Sequence, residues 1–308
     1  MNNKKDSISQ SGFIAKYNQH TMLPVVGLLF ASTLWGLIWY PLRLLENNGM
    51  NGLWASALMY CGTLIVAIPV LYKGWREWLT HPWLFFFMAI ATGWTNIAFI
   101  LAVLEGNVVR VLLLFYLSPL WATLLGVFFL GEYLSRRALG ILGIAMVGAV
   151  IMLWHESLGF PAPKDTADWL ALSAGIAFAI TNVLIHKLND ATVMVKTATG
   201  WLGVLFLAFI LIIFTQQKLA VSTEVIAGAW ILGAVAMTMM NVAVVYGVTN
   251  MPVHRSAIIL LFEIVVGAVS SILLTNEVIE LREWIGGGLV IFAAYLTATR
   301  QHDDGAIS

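Results

Sequence analysis

Asn96-Ile-Ala-Phe-Ile-Leu-Ala-Val-Leu-Glu-Gly-Asn-Val-Val-Arg110 and Asn241-Val-Ala-Val-Val-Tyr-Gly-Val-Thr-Asn-Met-Pro-Val-His-Arg255 read as two copies of one stretch. The step from 96 to 241 equals the step from 110 to 255 and, further on, from Glu132 to Glu277: a constant 145 residues. In a chain that is 60% hydrophobic, matched valines and alanines mean little, whereas Asn, Arg and Glu are scarce. Ala98/Ala243, Val103/Val248, Val108/Val253, Arg137/Arg282 and Gly143/Gly288 keep the same frame. Internal symmetry of this kind in a polytopic membrane protein marks many secondary transporters.

Composition fixes the class. The 308 residues are 10% charged and 12% aromatic, with a mean hydropathy of +0.88, too apolar for a soluble domain with a wet surface. A formal net charge of +0 and the lack of a long Lys/Arg run give no reason to expect nucleic acid as a partner; the partners expected are the lipid bilayer and a small molecule. Cys61 is the one cysteine and cannot form an intramolecular disulfide. The apolar run after the polar amino-terminal segment has no small-residue cleavage site and is too long for a signal sequence, so it reads as a retained first span.

Apolar runs between polar or Pro/Gly breaks predict an all-α chain of ten transmembrane helices, near 24–45, 53–72, 83–104, 109–130, 138–154, 169–187, 194–214, 225–247, 256–275 and 284–299. Short turns at Glu105-Gly106-Asn107 and Asn250-Met251-Pro252 force antiparallel neighbours. The expected organisation is a cytoplasmic tail (1–22), a first five-helix repeat (23–155), a periplasmic linker (156–168), a second repeat (169–300) and a cytoplasmic tail (301–308). With the amino terminus inside, only Arg43, Arg110, Lys164, Lys218 and Arg282 of the 16 Lys and Arg fall outside, which orients both termini toward the cytoplasm. Five spans is an odd number, so the second repeat enters from the opposite side and the repeats are inverted. A bacterial inner membrane is the expected address.

Eight tryptophans at span ends, Trp54, Trp75, Trp78, Trp83, Trp154, Trp169, Trp230 and Trp284, suit an interfacial belt. Trp35, Trp39, Trp94, Trp121 and Trp201 lie deeper. Small residues cluster in the fifth and tenth spans, from Gly140 to Ala149 and from Gly286 to Ala294. Packing within the chain explains such stripes; a homodimer through these two helices is the alternative.

Glu263 is an acid well inside a span, where an ionised carboxylate costs roughly 2.5–3.5 kcal/mol on insertion scales. It is either a proton or ammonium site or a carboxyl held by a neighbouring helix. Asn96 and Asn241 each share a helix face with a threonine, Thr92 or Thr238, and either line a shared cavity or glue helices together. Pro119 interrupts the fourth span beside Tyr116 and Ser118, freeing a carbonyl. Thr181-Asn182 in the sixth span and Trp35, Trp39 and Tyr40 around Gly36 in the first complete the candidate binding residues, with Arg110 and Arg255 at opposite mouths. Glu132, just before the fifth span, suits the start of a helix. The six histidines show no metal-ligand spacing, and no Gly-rich phosphate loop follows a strand, so an ATP-driven pump, a metal and a cofactor are not expected.

Phe115-Tyr-Leu-Ser-Pro119-Leu-Trp-Ala-Thr-Leu-Leu-Gly126 through Gly131-Glu132, Leu261-Phe-Glu263 through Asn276-Glu277, and Leu34-Trp35-Gly36 resemble the motifs of the EamA-type family of the drug/metabolite transporter superfamily. The resemblance implies a ten-helix basket with a central cavity, and export or exchange of small metabolites such as amino acids by alternating access. The chain departs from that pattern at Ile264, where proline commonly follows the acid, and at Asn276, where glycine commonly precedes the second glutamate. The expected function is therefore secondary transport, not enzymatic. A nucleotide-sugar or quaternary-amine carrier on the same fold, or a membrane sensor or channel, is the alternative.

Overall fold

The computed structural model describes residues 22–154, 163–274 and 280–299. Within them every element is helical: α1 (Met22–Asn47), α2 (Gly52–Thr80), α3 (Pro82–Glu105), α4 (Val108–Leu130), α5 (Arg136–Leu153), α6 (Thr166–Lys187), α7 (Val193–Thr215), α8 (Thr223–Thr249), α9 (Val253–Ser271) and α10 (Leu281–Thr299). Among the described residues nine helices, α1 to α9, are long and apolar enough to cross a bilayer. The tenth expected span lies inside α10, whose amino-terminal turn carries Arg282 and Glu283. Residues 1–21 of the expected amino-terminal tail, the expected carboxy-terminal tail, residues 156–162 of the expected linker, and Asn276 and Glu277 lie outside the described residues.

Helices start earlier than the apolar runs because caps, rather than hydropathy, set their ends. Asn51, Asn107, Ser135, Asp165 and Thr192 each accept the backbone N–H three residues on, at 2.9–3.4 Å. Trp54 and Trp78, expected in the interfacial belt, donate their indole N–H to the Gln217 carbonyl (3.0 Å) and to Thr199 Oγ1 (2.9 Å).

Three helices break where the interior is built. α1 turns at Ile38; α4 stops at Phe115 and restarts at Ser118; α9 stops at Leu260 and restarts at Phe262. Tyr116 and Leu261, at the two latter breaks, are related by the 145-residue frame. Pro119 sits in the first turn after the first break, where its missing N–H costs nothing. The second repeat makes the same break with Ile264 in place of the usual proline.

Close helix contacts fall at glycines. A Cβ on Gly36 of α1 would stand 2.7 Å from the Glu263 carbonyl oxygen of α9, and one on Gly148 of α5 would stand 2.7 Å from the Gly286 carbonyl oxygen of α10. The α5 and α10 stripes thus pack on each other inside the chain, as small-residue stripes do.

Candidate functional site

The polar interior is assembled from both repeats. Asn96 on α3 and Asn241 on α8 converge on the hydroxyl of Tyr60, a buried residue of α2. Asn96 Nδ2 donates to Tyr60 Oη at 3.2 Å, and its Oδ1 accepts from Ser56 Oγ at 3.1 Å. The Asn241 side chain meets the same hydroxyl, while its Nδ2 donates to the Met237 carbonyl at 2.8 Å. That carbonyl closes a π-helical segment, Gly233–Met237, which Thr238 also braces through Gly233 O at 3.4 Å. Such segments are wider than an α-turn and recur at functional sites.

A second locus joins α1, α4 and α9. The Tyr116 hydroxyl meets the half-buried Glu263 carboxyl, and Gly36 presses on the Glu263 backbone. Both features follow from the helix breaks: Tyr116 is the residue at which α4 interrupts, and Glu263 opens the restarted half of α9. The next residue of α1 in the other direction, Trp35, packs against the cluster that holds Tyr60 and Met240. Residues 35 and 36 therefore touch both loci.

The remaining candidates are distributed around these loci. Thr181 faces Thr92 across α6 and α3 at 3.4 Å. Among the described residues, neither amide atom of the fully buried Asn182 meets a hydrogen-bond partner, and the buried Trp121 indole N–H meets no acceptor. Ser118 is buried beside the α4 break. Trp39 donates its indole N–H to Ser270 Oγ on α9 at 2.9 Å, and Ser270 Oγ donates to the Gly36 carbonyl at 3.3 Å.

Arg110 and Arg255, expected at the mouths, are held by protein. Arg110 Nε lies 2.6 Å from Asp168 Oδ2 in a buried ion pair between the starts of α4 and α6. Arg255 Nη2 donates to the Thr297 carbonyl in the last turn of α10 at 2.7 Å, a favourable place for a cation. Glu132 does cap a helix, but a different one from that expected. Gly131, left-handed at φ +68°, turns the chain out of α4 so that Glu132 Oε1 accepts the Val253 N–H (2.6 Å) and Oε2 lies 2.7 Å from His254 Nδ1, at the start of α9. Because a carboxylate only accepts, the Nδ1 carries the proton. Burial pushes the Glu132 carboxyl up, but the bonds from His254 and Val253 outweigh it and hold the group below its ordinary value of 4.5.

Sequence reading missed Ser56, Tyr60, Asp168, His254 and Lys196. Ser56 and Tyr60, four apart on α2, share a helix face, and that spacing was the available signal. Lys196 is buried in α7, its Nζ donating to the Ile185 and Leu188 carbonyls (3.2 and 3.1 Å) and to Thr249 Oγ1 (2.7 Å), so it ties the ends of α6 and α8.

The model of the EamA-like transporter family matches residues 22–154 and again 165–299, once for each repeat. The chain belongs to the EamA-like transporter family. This EamA-like protein is thus a multi-pass membrane protein of a family of transporters rather than enzymes. A crystal structure, described only as that of a protein, is similar to it over 91% of this chain and 99% of its own, with a TM-score of 0.75 and 14% identity, a likeness of fold alone. No curated protein matches.

Proposed function

We propose that this EamA-like protein is a secondary active transporter of the bacterial inner membrane, with both termini cytoplasmic, that exports or exchanges a small metabolite such as an amino acid by alternating access. The observation that carries this reading is the convergence of Asn96 and Asn241, one from each repeat, on a single hydroxyl. Inverted repeats place a binding site where the halves meet, and the paired breaks at Tyr116 and Leu261 give each half a hinge at that level. Trp35, Tyr116, Thr181, Asn182 and Glu263 line the site in this reading, with Ser118 at the hinge. A carrier of quaternary amines is the second reading, favoured by the Glu263 carboxyl beside Tyr116 and near Trp35. A homodimer through α5 and α10 would use Gly140, Gly143 and Gly288, where a Cβ meets nothing within 4 Å.

Vesicles holding purified protein and preloaded with unlabelled amino acids test the reading. A carrier accumulates external labelled amino acid by counterflow, and Glu263→Gln, which keeps size and removes charge, slows it. Single-channel current in place of counterflow overturns it.

A further inference from the structure

Beyond the turn of α1 at Ile38, α1 and α8 part and leave a cleft of about 260 Å³. Leu37, Tyr40 and Pro41 of α1, Leu232 and Ala236 of α8, and Leu274, just past the end of α9, stand around it. Leu37, Tyr40 and Leu274 are exposed, so the cleft opens outward. Every side chain that lines it is apolar except for the Tyr40 hydroxyl. A buried water needs about two to four polar partners, so water does not fill such a space. Left unfilled, it would forfeit the contacts of the side chains around it. An acyl chain meets both conditions. A cation stands at one end. Arg43 continues the ridge of α1 that runs through Leu37 and Tyr40 at three-residue steps. Its guanidinium carbon lies 5.9 Å from the centre of the Trp39 ring, and the Trp39 indole is fixed in turn by Ser270, one turn before Leu274. Glu46 follows Arg43 by three residues, and both are exposed. Among the described residues neither takes part in an ion pair.

From this we infer that the cleft is a binding site for one zwitterionic phospholipid, with an acyl chain between α1 and α8, the phosphate on Arg43 and the headgroup ammonium beside Glu46. Guanidinium and phosphate match in geometry and pair through two parallel N–H···O bonds. Lipid tails are as apolar as the walls of the cleft, so the chain gains contact there but little transfer energy, and the headgroup supplies the selectivity. A headgroup with a phosphate alone would set a like charge near Glu46. One that also carries an ammonium satisfies both side chains. The inference does not rest on the carrier reading.

Native mass spectrometry and thermal shift on the delipidated full-length protein test it, using phosphatidylethanolamine, phosphatidylglycerol and diacylglycerol with the same chains. Phosphatidylethanolamine should bind as one tightly held copy, about fivefold or more tightly than diacylglycerol, the worth of one cation near a membrane surface. Phosphatidylglycerol should fall between them. Arg43→Gln should bring phosphatidylethanolamine down to the affinity of diacylglycerol, and Glu46→Gln should remove its advantage over phosphatidylglycerol. Ala236→Trp, which fills the cleft, should weaken all three lipids. Should Ala236→Trp fail to fold, Arg43→Gln, at the exposed end of α1, decides alone. Many copies bound with one affinity, as a lipid annulus binds, or a preference that Arg43→Gln leaves unchanged, overturns the site. So does a dimer of this chain that forms in place of bound lipid and is lost in Ala236→Trp. Phosphatidylglycerol bound as tightly as phosphatidylethanolamine overturns the zwitterionic assignment.

Discussion

Arg110 and Arg255 hold matching places in the two repeats, yet one lies in a buried ion pair and the other reaches a helix-end carbonyl. The reason is one residue away in the frame. Asp168, the partner of Arg110, corresponds to Leu23 in the first repeat, a side chain with no carboxylate, and Arg255 reaches the Thr297 carbonyl. The same holds for Glu132: its partner His254 corresponds to Val109, so the imidazole occurs in one copy alone. Duplication supplies the scaffold twice, but a polar contact needs two residues, and each copy has kept a different second one.

The largest effect expected is from Arg110→Met, which leaves the Asp168 carboxylate buried without its cation. It should cost about 3–5 kcal/mol, read as loss of monodisperse folded protein in detergent. Adding Asp168→Leu should restore most of it; no recovery would mean that the pair is not what matters there. Arg255→Met, which removes the charged donor to the Thr297 carbonyl, should cost less, about 1.5–3 kcal/mol by denaturation midpoint. A cost equal to that of Arg110→Met would erase the contrast between the two copies.

Glu132→Ala removes the cap on α9 and should cost about 1–2 kcal/mol, with faster hydrogen exchange at the Val253 amide. Because its folded carboxyl titrates below 4.5, Glu132 contributes stability that is fully present above that value and is lost as pH falls through the lower folded one. The melting temperature of the wild type should therefore drop more steeply below pH 4.5 than that of Glu132→Ala. Parallel curves would detach the cap from any pH dependence. The smallest effect is expected at His81 and Asp190, a pair 3.1 Å apart and nearly half exposed on both sides. Asp190→Asn should shift stability by about 0–1 kcal/mol, since water and salt screen such a pair.

The span pattern was legible because burial in lipid demands long apolar runs, and among the described residues nine helices carry them. Asn96, Asn241 and Glu263 were legible as candidates because polar groups are rare in such runs. Tyr60 was not, since a tyrosine in an apolar helix has no distinguishing pattern until its hydroxyl is seen between two amides. The helix that Glu132 caps was also hidden: the nearest start in sequence is α5, but Gly131 turns the carboxylate toward α9.

The sequence by itself determined the membrane class, the duplication and the family, because hydropathy and a fixed residue spacing are properties of the chain as a string. Only the tertiary structure decided which polar groups meet: Asn96 with Tyr60, Tyr116 with Glu263, Arg110 with Asp168. These pairs lie on different helices, separated in sequence by tens to more than a hundred residues. Their contact depends on how the helices cross, and that is set by glycines and helix breaks acting across the bundle rather than by any local pattern.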